Sequence, residues 1–173
     1  MIEEWNVLVV SHEGEERRLL RELRGLGEFS FTGFRSLLLG KVNLQSFLEE
    51  VQARPIPSLA RVVPVEENFR ARPENLLEIL KDRAKKYSDR IGRGESFCVR
   101  FERRGFKGRV SSREVESEIG GHLHDLLEGE GKSPKVSLED PDKLLVVESV
   151  GTSFGIGVID RENRQKYPII KVK

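Results

Sequence analysis

Apolar positions along this chain recur with two periods, and the alternation between them lays out two α/β halves. Val7–Val10 form a continuous apolar run within Trp5–Ser11, as expected of a strand central in its sheet. Glu13, Glu15 and Glu16 suit the positive end of a helix. That helix keeps Leu19, Leu20, Leu23 and Leu26 at helical spacing and stops at Gly27. Glu28–Phe34 and Ser36–Val42 are predicted as two strands turning near Gly33–Arg35. Asn43 caps the next helix, which carries Leu44, Phe47, Leu48 and Val51 and ends at Arg54-Pro55. With a further strand at Leu59–Val65 the order is β-α-β-β-α-β, the ferredoxin-like arrangement.

Glu66–Arg72 is polar and has no period, so it is expected to be a linker between residues 1–68 and 69–173. Beyond it, Pro73 suits a first helical turn. Leu76, Leu80, Ala84, Tyr87 and Ile91 line one face of that helix, leaving Lys81, Arg83, Lys85 and Lys86 toward water. Phe97, Val99 and Phe101 alternate with Cys98, Arg100 and Glu102, the pattern of a half-buried strand. Ser111 with Glu114 three residues on forms a capping box that opens a helix carrying Val115, Ile119, Leu123 and Leu127. Gly129–Pro134 is a predicted loop. Leu144–Val150 and Thr152–Ile159 are predicted strands turning at Gly151, and Lys166–Lys173 is predicted as a short edge strand. The fold class is α/β in the α+β sense: a ferredoxin-like unit followed by an α/β domain with a mixed sheet.

Composition adds three limits. The 173 residues are 37% hydrophobic and 34% charged, enough for a core with a heavily charged surface. No run approaches the ~18 apolar residues of a membrane span, so no membrane partner is expected. Cys98 is the single cysteine and precludes an internal disulfide, which points to the cytoplasm.

The net charge of +1 conceals a partition. Residues 70–110 carry 13 Lys and Arg against 6 Asp and Glu, a net of +7, while each flank carries −3. Cations gathered in the middle of a nearly neutral chain are the footprint of a polyanion site. Their densest group lies between strand and helix: Arg103, Arg104, Gly105, Lys107 and Arg109, with no carboxylate among them, followed by Ser111 and Ser112. The side-chain cations and the free N–H groups of a first helical turn both favour a phosphate. The loop is expected to be exposed, so its arginines should be replaceable without loss of the fold. Lys85 and Lys86 are candidates to extend the same surface, although a solvated helix face is the better account of the charges in Lys81–Arg90.

Other constellations carry less. His122 and His124 point about 200° apart at ~3.6 residues per turn and share no ion, and no carboxylate–histidine spacing joins them, so no metal is expected. Gly151–Gly157 matches no nucleotide-binding loop, and Gly155 and Gly157 suggest close backbone approach in a sheet. Gly120-Gly121 within a helix suggests close packing against a neighbour. Cys98, between Phe97 and Val99, is a small buried apolar residue, and Asp140-Pro141-Asp142 is a turn. With no nucleophile–base pair and no cofactor fingerprint, neither an active site nor a cofactor is expected.

The succession Arg103-Arg104-Gly105, the Ser111-Ser112 helix start, Ile119-Gly120, Val136-x-Leu138-x-x-Pro141-Asp142 and Val146-Val147-Glu148 resembles the THUMP domain over roughly residues 70–165. The resemblance implies a tRNA-binding module preceded by a ferredoxin-like unit and docked on the acceptor stem and 3′ end. The stand-alone proteins of this kind are similar in layout and act as tRNA-binding adaptors of an RNA cytidine acetyltransferase acting on the D-arm. The resemblance therefore implies a separately encoded RNA-modifying enzyme as partner. The alternative is an RNA-binding subunit of a split methyltransferase or thiolation enzyme, and a third is a protein-interaction module that binds no RNA.

Overall fold

The computed structural model describes all 173 residues, as two sheets flanked by helices. The first half runs β1 (Val7–Ser11), α1 (Glu16–Glu22), β2 (Glu28–Phe31), β3 (Leu37–Lys41), α2 (Leu44–Ala53) and β4 (Leu59–Pro64). Its strands order β2-β3-β1-β4, every pairing antiparallel. This is the ferredoxin-like sheet, with the apolar β1 central as its continuous run requires. Asn43 caps α2 by accepting from the Ser46 N–H at 3.0 Å.

The second half runs β5 (Glu67–Arg70), α3 (Leu76–Tyr87), a 3₁₀ turn (Ser88–Arg90), β6 (Ser96–Glu102), α4 (Ser112–Gly129), β7 (Lys135–Val136), β8 (Lys143–Val150), β9 (Ser153–Asp160) and α5 (Arg161–Lys166). Its sheet orders β5-β9-β8-β6-β7 and is mixed, with β6 parallel to both β7 and β8. Asp142 joins the entries of two strands by accepting from the Ser96 N–H at 2.7 Å and from its hydroxyl, which holds the Asp142 carboxyl below its ordinary range. Arg161 of α5 pairs with the same carboxylate at 2.6 Å.

The expected linker is not one. Glu67–Arg70 pair with β9 as an edge strand, and Phe69 is buried against the second core. The boundary expected at residues 68 and 69 therefore falls inside β5. The C-terminal segment also differs from expectation. Lys166 ends a helix, and the residues after it return to the first sheet, where Ile170 makes a single parallel bridge to Val62 of β4.

Strand parity joins the two halves. Along β8, Leu145 and Val147 face α3 and α4 in one core, while Leu144 and Val146 belong to the core of the first half. Cys98, Ile159, Tyr167 and Ile170 enter that first core as well, and Cys98 is buried there as a small apolar residue. Trp5 wedges between the sheets: its indole N–H donates to Ser153 Oγ at 3.1 Å. Gly155 lies beneath the Trp5 ring, where an added Cβ would stand 2.5 Å from the indole, so the close approach expected at Gly155 and Gly157 is present.

Candidate nucleic-acid interface

The cationic loop leaves the C-terminal end of β6 and enters α4, as its sequence suggests, but its residues divide into a root and a crest. At the root, the parity that turns Cys98 and Glu102 toward the first half carries on to Arg104. The parallel register of β6 and β8 sets Glu102 beside Glu148, so two carboxylates meet where the halves pack. Arg104 lies between them, 2.6 Å from Glu148 and 3.3 Å from Glu102, with 12% of its side chain exposed. Arg61 of β4 closes the group from the other half, 2.9 Å from Glu102, and donates to the Lys171 carbonyl. Glu148 is 1% exposed, and burial pushes its carboxyl up to about 7 against the pull of Arg104. Its second oxygen, Oε1, has no hydrogen-bond partner.

The Arg104 backbone is tied down too: its N–H donates to Ser149 Oγ at 2.9 Å and its carbonyl accepts from the Gly151 N–H at 2.8 Å. Gly105 turns there with φ +100°, its Cα side pressed against Gly151. Arg104 is thus structural, which corrects the expectation of a wholly exposed loop. Arg103 is half-buried and donates to the Gly105 carbonyl. Beside it, Arg100, Arg103, Ser112 and Lys173 line a cleft of about 370 Å³ that Glu102 and Glu116 share.

The crest is different. Lys107 and Arg109 are exposed, and Arg109 pairs only with the equally exposed Glu74 ahead of α3. Phe106, in the left-handed region at φ 53°, is half-buried and packs on the second core. Ser111 caps α4 by accepting from the Glu114 N–H at 3.2 Å. The N–H groups of Ser112 and Arg113 are left for other acceptors, as at the start of any α-helix.

Two further cations belong to this end. Arg70 closes β5 and donates to Thr152 Oγ1 at 3.0 Å beside the Gly151 turn, and Arg72 follows it, exposed. Both lie in the stretch expected to be a linker, and no period in the sequence marks the strand that delivers them. Lys85 and Lys86 lie elsewhere. They sit in the last turn of α3, about 15 Å along the helix from Leu76 at ~1.5 Å per residue. Lys86 is held 2.6 Å from Glu67, at the opposite end of β5 from Arg70. The structure does not bring them to the loop.

Much of the +7 excess is neutralised locally. Arg83 and Lys86 both meet Glu67, whose carboxyl is held below its ordinary range by them against the effect of its burial; Arg90 meets Glu66, and Lys81 meets Glu118. On α4, His124 Nδ1 lies 3.9 Å from Glu128, an i,i+4 pair that a reading centred on His122 and His124 misses. Asp125 joins them within 4.8 Å, on an exposed flank where acidic groups commonly gather without an ion. No helix is long and apolar enough to cross a membrane.

Known proteins share parts of this chain's sequence and fold. The family model described as "THUMP domain" matches residues 74–159. A probable tRNA sulfurtransferase of Methanosarcina acetivorans is 45% identical over 58 residues, 34% of this chain and 14% of that protein. TrmN from Thermus thermophilus superposes with a TM-score of 0.62 at 22% identity, over 90% of this chain and 45% of that one. A 4-thiouridine synthetase in complex with RNA and ATP superposes with a TM-score of 0.53 at 17% identity, over 90% of this chain and 41% of that one. Each of these relatives is matched over less than half of its own length.

Proposed function

We propose that this chain, in which residues 74–159 form a THUMP domain, is a tRNA-binding adaptor that holds the acceptor stem and 3′ end for a separately encoded RNA-modifying enzyme. The observation that carries the reading is the exposed rim of Arg70, Arg72, Lys107 and Arg109 at one end of the second sheet, beside the N-terminus of α4. Spread cations suit A-form RNA, which proteins read through phosphates and 2′-hydroxyls. The chain itself has no catalytic role in this reading; it sets the distance between the docked tRNA end and the base its partner modifies. By resemblance to the stand-alone adaptors, that partner is an RNA cytidine acetyltransferase acting in the D-arm.

Titration of the purified chain with tRNA over a salt series tests the binding. The logarithm of affinity should fall linearly with the logarithm of salt, by ~0.7–0.9 per phosphate neutralised. The chain alone should transfer no acetyl, methyl or sulfur group. Salt-independent affinity, or turnover by the chain alone, would refute the proposal.

A second reading, favoured by the 45% identity to a probable tRNA sulfurtransferase, makes the chain the RNA-binding subunit of a thiolation or methylation enzyme. Affinity purification from native extract separates the two: an acetyltransferase co-purifies under the first, a thiolation or methyl-transfer enzyme under the second.

A further inference from the structure

The Gly120-Gly121 pair at the middle of α4 was expected to pack closely on a neighbour, yet a Cβ added at either position would meet nothing within 4 Å. These glycines instead form part of the wall of an open groove of about 640 Å³ between α4 and the β7 edge of the sheet. The opposite wall is Val136 and Leu138, apolar side chains 58% and 61% exposed. Short β7 covers β6 only at Ser96 and Phe97, so the β6 edge beyond is uncovered by any strand. Two helix-weakening glycines, two exposed apolar side chains and a partly bare strand edge thus share one surface.

The polar residues along the groove say what fits it. On the flank of α4 that faces the groove and continues past it, Arg113 lies in the first turn, Ser117 follows, then the glycines, then His124 and, beyond the groove, Glu128 in the last turn. Glu116, paired with Arg100 at 3.7 Å, and the exposed Asp125 line the groove as well. Cation and carboxylate stand at opposite ends of one stripe, with the small residues at its centre. Such a stripe is complementary to itself when reversed, as a two-fold interface requires. Laid antiparallel on a copy, Arg113 meets Glu128, Ser117 meets His124 and Gly120 meets Gly121.

We propose that a second copy of this chain occupies the groove, through an antiparallel α4–α4 contact centred on Gly120 and Gly121. The glycines let the two helix backbones approach, and Val136 and Leu138 of each copy cover the flank of the other helix. The two cationic loops, each at the N-terminus of its α4, then lie at opposite ends of the contact, about 27 Å apart for an 18-residue helix at ~1.5 Å per residue.

Sedimentation of the full chain across a concentration series tests this. A monomer–dimer equilibrium in the micromolar range is expected. Gly120→Leu should abolish the dimer while leaving the melting temperature of the monomer equal or higher, since leucine is the better helix former and the site is open in the single chain. Arg113→Glu should also dissociate the dimer, and Arg113→Glu combined with Glu128→Arg should restore it. A wild-type chain that stays monomeric at every concentration, a dimer unaffected by Gly120→Leu, or a double charge exchange that fails to rescue would each overturn the proposal.

Discussion

Arg104 and Arg109 stand five residues apart on the same loop, and their environments are opposite. Arg104 is 12% exposed, held between Glu102 and the buried Glu148 where the two halves meet. Arg109 is 59% exposed and pairs only with the exposed Glu74. Both are arginines in a cationic run, so local charge density does not tell them apart. Strand parity does: Arg104 continues the alternate positions of β6 that face the first half, whereas Arg109 comes after the chain has turned away at Gly105. One arginine is enclosed where the two halves pack, and the other stands in solvent beside Glu74.

The largest effect should come from the root. Arg104→Ala removes the cation between Glu102 and Glu148, so Glu148 takes up a proton and the acceptors it shared with Glu102 are left unsatisfied, a loss of about 1–3 kcal/mol. Denaturant unfolding should show that loss, whereas Arg109→Ala should stay within ~0.5 kcal/mol of wild type. Equal stabilities for the two variants would remove the distinction between root and crest.

Next is the pH dependence of the root. The Glu148 carboxyl is raised to about 7 in the folded chain, from an ordinary value of 4.5. Between those values the folded state keeps a proton that the unfolded state has released. Stability therefore falls as pH rises through the window, by roughly 3 kcal/mol in all. Thermal melts of wild type against Glu148→Gln should show the slope in the first and its loss in the second. A wild type whose melting temperature rises with pH relative to Glu148→Gln would contradict the sign.

The crest comes third. Lys107→Ala with Arg109→Ala should weaken tRNA binding about tenfold or more, charge-assisted contacts being worth ~1.5 kcal/mol each. Lys85→Ala with Lys86→Ala, at the far end of α3, should change it far less. The smallest effect concerns α4: Gly121→Ala in the open groove should raise stability by up to about 1 kcal/mol, seen as a higher melting temperature.

The same contrast shows how far the sequence could be read. The ferredoxin-like half was legible because β1 is apolar throughout and both of its helices carry clear stripes. β5 was not: four residues with one buried phenylalanine give no period, and its strand character comes from pairing with β9. Nor was α5, which buries no residue and is held by Arg161 and Arg164 pairing with Asp140 and Asp142. The cationic loop was found from its composition, but the role of Arg104 was not. Parity along Cys98, Arg100, Glu102 and along Leu144, Val146, Glu148 could have signalled that a carboxylate pair awaited it. Arg61, the cation arriving from the other half, is visible only once the sheets are packed together. That packing also joins the expected domains, since Cys98, Leu144, Val146 and Ile159 would lose their cover if the first half were removed.

The salt dependence of tRNA affinity, measured on wild type and on the Lys107→Ala, Arg109→Ala variant, tests the central claim most directly. If the crest neutralises phosphates, the variant loses about 1.4–1.8 from the slope of log affinity against log salt, at ~0.7–0.9 per phosphate, while its unfolding curve matches wild type. An unchanged slope in a fully folded variant would contradict the assignment of tRNA binding to the crest.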